Sequence, residues 1–197
     1  MEKEIWKPSN MLNPVPAVMV SCGREGETPN IVTIAWAGTV CSDPVMVSIS
    51  VRPTRHSYGI IKDTGEFVIN LVNTPLTKAC DYCGVKTGAK VNKWEDMHLT
   101  PLPSQVVRCP GIAESPVNLE CKVKEVIPLG SHDLFLAEVV SVTVDRKYLD
   151  ENGRFDINAA NLVAYSHGEY YELGEYLGKF GYSVQKSEPK KGTKKKS

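Results

Sequence analysis

Five hydroxyl, guanidinium and imidazole side chains lie within six residues of this sequence, directly after an alternating apolar segment. They are Arg52, Thr54, Arg55, His56 and Ser57. A strand end followed by a helix start presents free backbone N–H groups that attract phosphate, and arginine and hydroxyl groups complete such a site. The same pattern also fits an ordinary helix start beside surface arginines, and the motif alone favours neither interpretation.

A second group of candidates lies on the preceding apolar segment, residues 30–37. Asn30, Thr33 and Trp36 offer polar groups and a large ring, and the small residue Ala35 allows close approach to the backbone. A planar ligand needs a flat apolar contact and a few hydrogen bonds at its edge. Taken alone, however, a tryptophan in this setting is more often a core residue.

The six cysteines raise the question of redox or metal chemistry, above all the pair Cys80 and Cys83. A redox CxxC is expected at a helix start, whereas this pair falls at the end of a predicted helix, and no second CxxC exists. Cysteines three positions apart share one helix face, so a buried face is favoured over a redox pair. We predict reduced thiols and no metal site.

No catalytic motif accompanies these candidates. The sequence contains no Ser-His-Asp order, HExxH, P-loop or GxGxxG, so acyl transfer, metalloprotease activity and a Rossmann dinucleotide site have no support. We assign no catalytic side chain. Lys93, beside Trp94, and His132, in a predicted turn, are further residues that can either reach a ligand or lie at the surface.

Short apolar segments between thirteen prolines and fifteen glycines favour many strands over long helices. The predicted strands cover residues 18–20, 30–37, 45–51, 66–72, 118–126 and 134–144, and short helices are predicted from 54 or 57 to 62 and from 74 to about 83. Alternation predicts that Val45, Val47, Ile49 and Val51 face the core and that Glu120 faces outward. A mainly β, antiparallel barrel with a few short helices fits this order best, with strands 30–37 and 45–51 as neighbours. Residues 162–184 give no clear assignment.

Charge is distributed unevenly along a chain whose formal net charge is 0. Residues 186–197 hold six lysines and one glutamate, so this tail carries +5 and the remainder −5. The negative remainder argues against nucleic-acid binding, and no segment approaches the ~20 apolar residues of a membrane helix. The N-terminus lacks a signal-peptide core. We expect a single domain over residues 1–185, a disordered basic tail over 186–197, and a cytoplasmic location.

The order of several segments resembles the flavin reductase-like family with the FMN-binding split barrel, and most closely its flavoredoxin branch. These segments are NPVPAVMVS, PNIVTIAW, SDPVMVSISVRPTRHSYGIIKDTGEFVINL, KVNKW, LECKV and GSHDLFLAEV. The resemblance covers residues 13–150. It implies a Greek-key split β-barrel and a homodimer with FMN near the subunit interface. It also accounts for the missing catalytic motif, because hydride or electron transfer is the cofactor's own chemistry.

The resemblance also gives the candidate residues distinct roles. Along the flavin it implies Asn30, Thr33, Ile34, Ala35 and Trp36, and near the phosphate and ribityl chain Ser50, Arg52, Thr54, Arg55 and Ser57. Lys93, His132 and Tyr165 are expected to approach the cofactor from other segments. We hypothesise that Lys93 or His132 stabilises negative charge on the reduced flavin.

Three functions remain open on the sequence alone. The leading one is an oxidoreductase that moves electrons from NADH, NADPH or a reduced carrier through FMN to a flavin, iron or a redox protein. The second is an FMN-holding electron carrier or flavin store without turnover. The third is an unrelated small-barrel interaction protein whose arginine turn is structural. No fingerprint separates NADH from NADPH.

Overall fold

The computed structural model describes residues 1–184, so the predicted basic tail at 186–197 lies outside the described residues. The strands are β1 Val15–Pro16, β2 Val18–Cys22, β3 Asn30–Ile34, β4 Ala37–Ser42, β5 Val45–Val51, β6 Glu66–Leu71, β7 Pro101–Leu102, β8 Gly111–Ile112, β9 Val117–Pro128, β10 Asp133–Val144, β11 Val163–Ser166 and β12 Glu169–Glu172. The helices are α1 His56–Thr64, α2 Thr77–Val85, α3 Lys93–Asp96 and α4 Ile157–Ala160. None of the helices in this part of the chain is both long and apolar enough to cross a membrane.

Seven antiparallel strands form a curled sheet in the order β3-β2-β6-β9-β10-β5-β4. Its two edge strands, β3 and β4, follow each other in the chain, so residues 35–36 connect one edge directly to the other. The Ser50 N–H donates to the Trp36 carbonyl at 2.9 Å, which continues the ladder between β4 and β5 beyond the pair Ala37 and Ile49. The predicted mainly β, antiparallel split barrel with short helices is confirmed. Strands β3 and β5, predicted as neighbours, are in contact but are not paired in the sheet.

A smaller sheet, β1-β11-β12, packs beside the barrel. It contains the first part of the region that the sequence left unassigned. His167 and Gly168 form the turn between β11 and β12, and both have positive φ values, 49° and 90°. Two successive left-handed residues suit the twist of a tight hairpin turn. This turn directs His167 toward the N-terminal segment.

The apolar core lies on both faces of the main sheet. Because side chains alternate along a strand, Val20 of β2 joins the cluster inside the barrel, which includes Phe67 and Phe135. The next side chain, Met19, joins a second cluster outside the barrel. Helix α2 covers this second face, and Cys80 belongs to the buried side of that helix.

Several predicted boundaries and orientations are wrong. Strand β3 ends at Ile34 instead of residue 37, because the chain bends at residues 35–36 and starts the unpredicted strand β4. Helix α1 begins after Arg55 without a side-chain cap, although Gly65 ends it in the predicted left-handed conformation. Gly84 lies within α2 instead of after it.

Two side chains differ from their predicted burial. Val45, predicted to be in the core, is 50% exposed because β5 starts beyond the covered part of the barrel. Glu120, predicted to face outward, is 2% exposed. The loop after β7 folds over it, and its carboxylate accepts the N–H groups of Gln105, Val106 and Val107 at 2.8, 2.7 and 3.0 Å. Three such bonds lower the pKa of Glu120, although burial opposes them.

Candidate functional site

Two adjoining cavities lie where β3 ends and α1 begins. We call the first, of about 370 Å³, the basic cavity, and the second, of about 430 Å³, the aromatic cavity. Val32, Arg52 and Arg55 line both. The basic cavity is lined by the predicted site residues Asn30, Arg52, Thr54, Arg55, Ser57 and Lys93, and the aromatic cavity by Thr33, Ile34, Ala35, Trp36, Ser50, His132 and Tyr165, again with Arg52 and Arg55. The structure thus brings all thirteen together, and cofactor binding by them stays a prediction.

The basic cavity combines a helix start with cationic side chains. Strand β5 ends at Val51, and the following turn places Arg52 and Arg55 before the first residue of α1. The first N–H groups of a helix have no acceptor within it, so they are available to an anion. Arg55 also donates to the Gly84 carbonyl at 3.2 Å, which connects the turn to α2. None of the described residues lining this cavity carries a carboxylate.

A buried amide fixes the back of the basic cavity. Asn30 donates from Nδ2 to the Ser57 hydroxyl oxygen at 2.7 Å, and both side chains are buried. This hydrogen bond joins β3 to the first turn of α1. Gly88 packs against the other side of the same amide, and a Cβ atom at Gly88 would lie 2.0 Å from the Asn30 Oδ1. A residue without a side chain is therefore required at position 88.

Lys93 reaches the basic cavity from the first position of α3. It is only 3% exposed, and its ammonium group donates to the carbonyl oxygens of Ile31 and Cys83. Burial lowers the pKa of Lys93, and the positive charge of Arg55 acts in the same direction, whereas the Cys83 thiol acts in the opposite one. Lys93 lies at the basic cavity and His132 at the aromatic one, so the two side chains serve different ends of the site.

The aromatic cavity has a ring pair at its edge. The centroids of the Trp36 and His132 rings are 4.4 Å apart, with planes tilted by 50°. Trp36 is 43% exposed, so the interpretation as a core tryptophan is wrong. Burial, followed by the charges of Arg52 and Arg55, lowers the pKa of His132. The lowered pKa favours the neutral imidazole, and its Nδ1 lies 2.9 Å from the Ser131 hydroxyl.

Backbone and short side chains form the remaining wall of the aromatic cavity. It consists of residues 32–36 and 50–51, held together by the bond between Trp36 and Ser50. Thr33 donates its hydroxyl to the carbonyl oxygen of Cys80, which attaches this wall to α2. Backbone and short side chains allow a planar ring to approach this wall closely.

Sequence reasoning missed several lining residues. At the basic cavity these are Val32, Cys83, Lys86, Thr87 and Gly88, and at the aromatic cavity Asn10, Asn13, Val51, His167 and Gly168. Most lie far along the chain from the central motif, and no local pattern identifies them. His56 belongs to that motif but was not assigned to the site. Within residues 1–184, no group of three or more His, Cys, Asp or Glu side chains is placed to hold a metal ion.

Comparison with known proteins gives a consistent result. The family model described as the flavin reductase like domain matches residues 11–174. An uncharacterized protein of Archaeoglobus fulgidus is 31% identical over 171 residues, which cover 87% of this chain and 94% of that protein.

Solved structures extend the comparison. Flavoredoxin of Desulfovibrio vulgaris (Miyazaki F) superposes with a TM-score of 0.87 at 30% identity, covering 93% of this chain and 100% of that one. Flavoredoxin from Methanosarcina acetivorans gives 0.85 at 25% identity, covering 94% and 100%. An FMN-binding protein from Thermus thermophilus gives 0.75 at 21% identity, covering 91% and 98%, and shares the fold.

Proposed function

The chain belongs to the flavin reductase-like family, and on this basis we propose that it binds FMN and transfers electrons from NADH, NADPH or a reduced carrier to a flavin, iron or a redox protein. Family and fold support a flavin-binding redox function. The observation that carries the finer proposal is the pair of joined cavities, one basic and one aromatic.

The residues present fit a flavin phosphate. The basic cavity has four cationic side chains and an uncapped helix start, while its described lining contains no carboxylate. Arg52, Arg55 and Ser57 would hold the phosphate, since charge-assisted bonds to arginine and hydroxyl groups are well suited to it. Asn30 would contact the ribityl chain, and the wall at residues 32–36 would contact the ring.

FMN, when bound, supplies hydride and single-electron transfer. The wall at residues 32–36 and 50–51 would lie against the ring and orient it. Arg52 and Arg55 line both cavities, so their positive charges would stabilise negative charge added to the ring. The His132 imidazole offers a donor or acceptor beside Trp36. Lys93 places its charge at the phosphate end.

Anaerobic reduction tests the proposal most directly. Purified protein is mixed with FMN, passed through a desalting column and inspected for retained yellow colour. NADH or NADPH is then added under nitrogen, and rapid bleaching is expected. Retained flavin without bleaching supports the electron carrier or flavin store instead. Failure to retain any flavin at micromolar concentration refutes the proposal.

A pair of arginine variants tests the basic cavity. We expect Arg52→Gln to weaken FMN binding about 10-fold or more, because a charge-assisted bond contributes ~1.5–3 kcal/mol. Arg146→Gln removes the same charge from an exposed position outside both cavities, and should leave the affinity unchanged. Equal effects of the two substitutions would contradict the assignment.

The midpoint potential of the bound flavin identifies the residue that stabilises its reduced form. We expect His132→Ala to change the potential, because His132 lines the aromatic cavity, and Lys93→Ala to change mainly FMN affinity. If both variants keep the affinity and potential of the unaltered protein, neither residue has the role that we give it.

We also propose a homodimer. Both terminal segments carry large apolar side chains that are exposed in the single chain, including Ile5, Trp6, Leu177 and Phe180. Exposure of this kind favours burial against another polypeptide. Light scattering during size-exclusion chromatography should give twice the mass of the chain, and a monomer at micromolar concentration would contradict the proposal.

A further inference from the structure

A third cavity of about 480 Å³, which we call the outer cavity, adjoins the aromatic cavity at Asn10 and His167. These two residues line both cavities, whereas none of the described residues lines both the outer cavity and the basic one. The aromatic cavity therefore lies between the other two. If FMN occupies the basic and aromatic cavities, the outer cavity is left for a second molecule beside the flavin ring.

The N-terminal segment forms the apolar side of the outer cavity. Trp6, Pro8 and Met11 line it. Trp6 is 69% exposed in the single chain, so its indole is available to stack on a planar ring. The thioether of Met11 also makes favourable contacts with aromatic rings. These residue types favour an aromatic ligand.

Polar groups without negative charge surround the junction of the two cavities. Asn13 connects its two sides, because the Asn13 amide donates to the Asn10 carbonyl at 3.1 Å and its Nδ2 lies 3.5 Å from Nε2 of His167. Lys7 adds a positive charge to the outer cavity and Arg52 one to the aromatic cavity. None of the described residues lining either cavity carries a carboxylate. The electrostatic field at the junction therefore favours an anion.

We propose that the outer cavity binds a planar aromatic electron acceptor with a negative group, of the class of the ionised hydroxyquinones. This inference rests on the proposed function and names a substrate class for it. Trp6 would stack on the ring of the acceptor, and His167 would donate to one of its oxygen atoms. In the balanced step the quinone takes up a hydride and a proton from the reduced flavin and leaves as the hydroquinone, while the flavin returns to its oxidised form.

Binding is measured without turnover, by isothermal titration calorimetry of the FMN-loaded protein with 2-hydroxy-1,4-naphthoquinone, an anion at pH 7. The unaltered protein should bind it at least about 5-fold more tightly than cyclohexanecarboxylate, which has the same charge but no aromatic ring. Trp6→Ala should weaken quinone binding about 5-fold or more and leave the FMN affinity within about twofold. His167→Ala should weaken quinone binding about threefold or more, because it removes a hydrogen-bond donor.

Ile5→Ala is the matched control for Trp6→Ala. Ile5 is an exposed apolar residue of the same segment, and it lines neither the aromatic nor the outer cavity. Its substitution should therefore leave the quinone affinity unchanged. Both residues belong to the surface proposed for the homodimer, so light scattering is repeated on the two variants. An equal loss of quinone affinity in Ile5→Ala and Trp6→Ala would assign Trp6 to the assembly and overturn the inference.

Flavin oxidation gives a second measurement. The FMN-loaded protein is reduced with one equivalent of dithionite and mixed with the quinone under nitrogen in a stopped-flow instrument. The oxidation rate should saturate with quinone concentration, and half-saturation should need more quinone in Trp6→Ala. Ferricyanide accepts single electrons and has no ring to stack, so it should oxidise the flavin of both proteins at the same rate.

Three further results would overturn the inference. They are equal affinity of the unaltered protein for the quinone and cyclohexanecarboxylate, unchanged quinone affinity in Trp6→Ala, and an oxidation rate that rises linearly with quinone concentration. A protein that retains no flavin refutes the proposed function instead. The calorimetric comparison of Trp6→Ala with Ile5→Ala in the flavin-free protein then decides whether the outer cavity binds the quinone.

Discussion

Replacing Gly88 by alanine should displace the Asn30 side chain at the back of the basic cavity. A Cβ atom at this position would lie 2.0 Å from Oδ1, 2.4 Å from Cγ and 2.8 Å from Nδ2 of Asn30. These distances are far inside van der Waals contact, so the amide must move. Asn30 is 6% exposed, and its movement breaks the 2.7 Å hydrogen bond to the Ser57 hydroxyl.

The structure allows the cost of Gly88→Ala to be estimated. A buried donor or acceptor that loses its partner costs ~1–3 kcal/mol, and an added methyl group in a packed site costs a similar amount. Partial relaxation of the amide reduces the sum, so we expect the free energy of unfolding to fall by about 2 kcal/mol. For a chain of this length the midpoint temperature then falls by about 4–8 °C.

Urea unfolding followed by far-UV circular dichroism measures this effect. Gly38→Ala is the matched control, because a Cβ atom at Gly38 meets nothing within 4 Å. The double variant Asn30→Ala/Gly88→Ala removes the amide with which the new methyl group collides. It should therefore be no less stable than Asn30→Ala alone.

Two results would refute this reasoning. The first is a Gly88→Ala protein as stable as the Gly38→Ala control, which would show that the amide moves without cost. The second is an additive double variant, which would show that the two residues do not interact. FMN affinity of Gly88→Ala should fall as well, because the displaced amide no longer fixes Ser57 in the basic cavity.

Three further outcomes are expected. An NMR titration should place the pKa of His132 below its ordinary value of ~6.5, because burial and the nearby arginines disfavour the cation. Arg52→Gln should raise the pKa of His132. An unchanged pKa in this variant would contradict a contribution from Arg52. Glu120→Gln should lower the free energy of unfolding by ~1–3 kcal/mol at pH 7, because Glu120 accepts three backbone N–H groups. The pKa of Glu120 is lowered in the folded protein. The stabilisation by its carboxylate is therefore complete above the unfolded carboxyl pKa of ~4.3, and it disappears as pH falls through the pKa of the folded protein. A loss of stability in Glu120→Gln that does not depend on pH would argue for a steric cause. In the native protein, Cys80 and Cys83 should resist Ellman's reagent, because burial raises their pKa values to about 12 and about 11, whereas rapid native labelling would contradict a buried helix face.

Local sequence patterns predicted the strands that have one face buried along most of their length. Strand β5 was predicted from alternation because the sheet buries one face of it, and the alternation failed only at Val45, before that face is covered. Strand β4, AGTVCS, was not predicted, since its side chains are small and mostly exposed and show no alternation. Its existence depends on pairing with β5, which no local signal indicates.

Long-range contacts explain what sequence reasoning did not find. Glu120 lies on an alternating strand, and only the arrival of the loop after β7 turns its outward face into a buried one. The turn at residues 52–57 was found because its chemistry is contiguous in sequence. Lys86 and His167 reach the same cavities from distant segments, so neither spacing nor residue type identifies them. The family resemblance predicted that Lys93 and His132 lie near the cofactor. The structure shows that they line different cavities, Lys93 the basic one and His132 the aromatic one.

Residues 35–36 both connect the two edge strands of the main sheet and line the aromatic cavity. If the hydrogen bond between the Trp36 carbonyl and the Ser50 N–H breaks, this end of the β4–β5 ladder frays and the wall of the aromatic cavity loses its shape. Deuterium exchange at the Ser50 amide therefore reports local opening at this end of the β4–β5 ladder. A ligand that binds against this wall should slow exchange at the Ser50 amide in proportion to its occupancy.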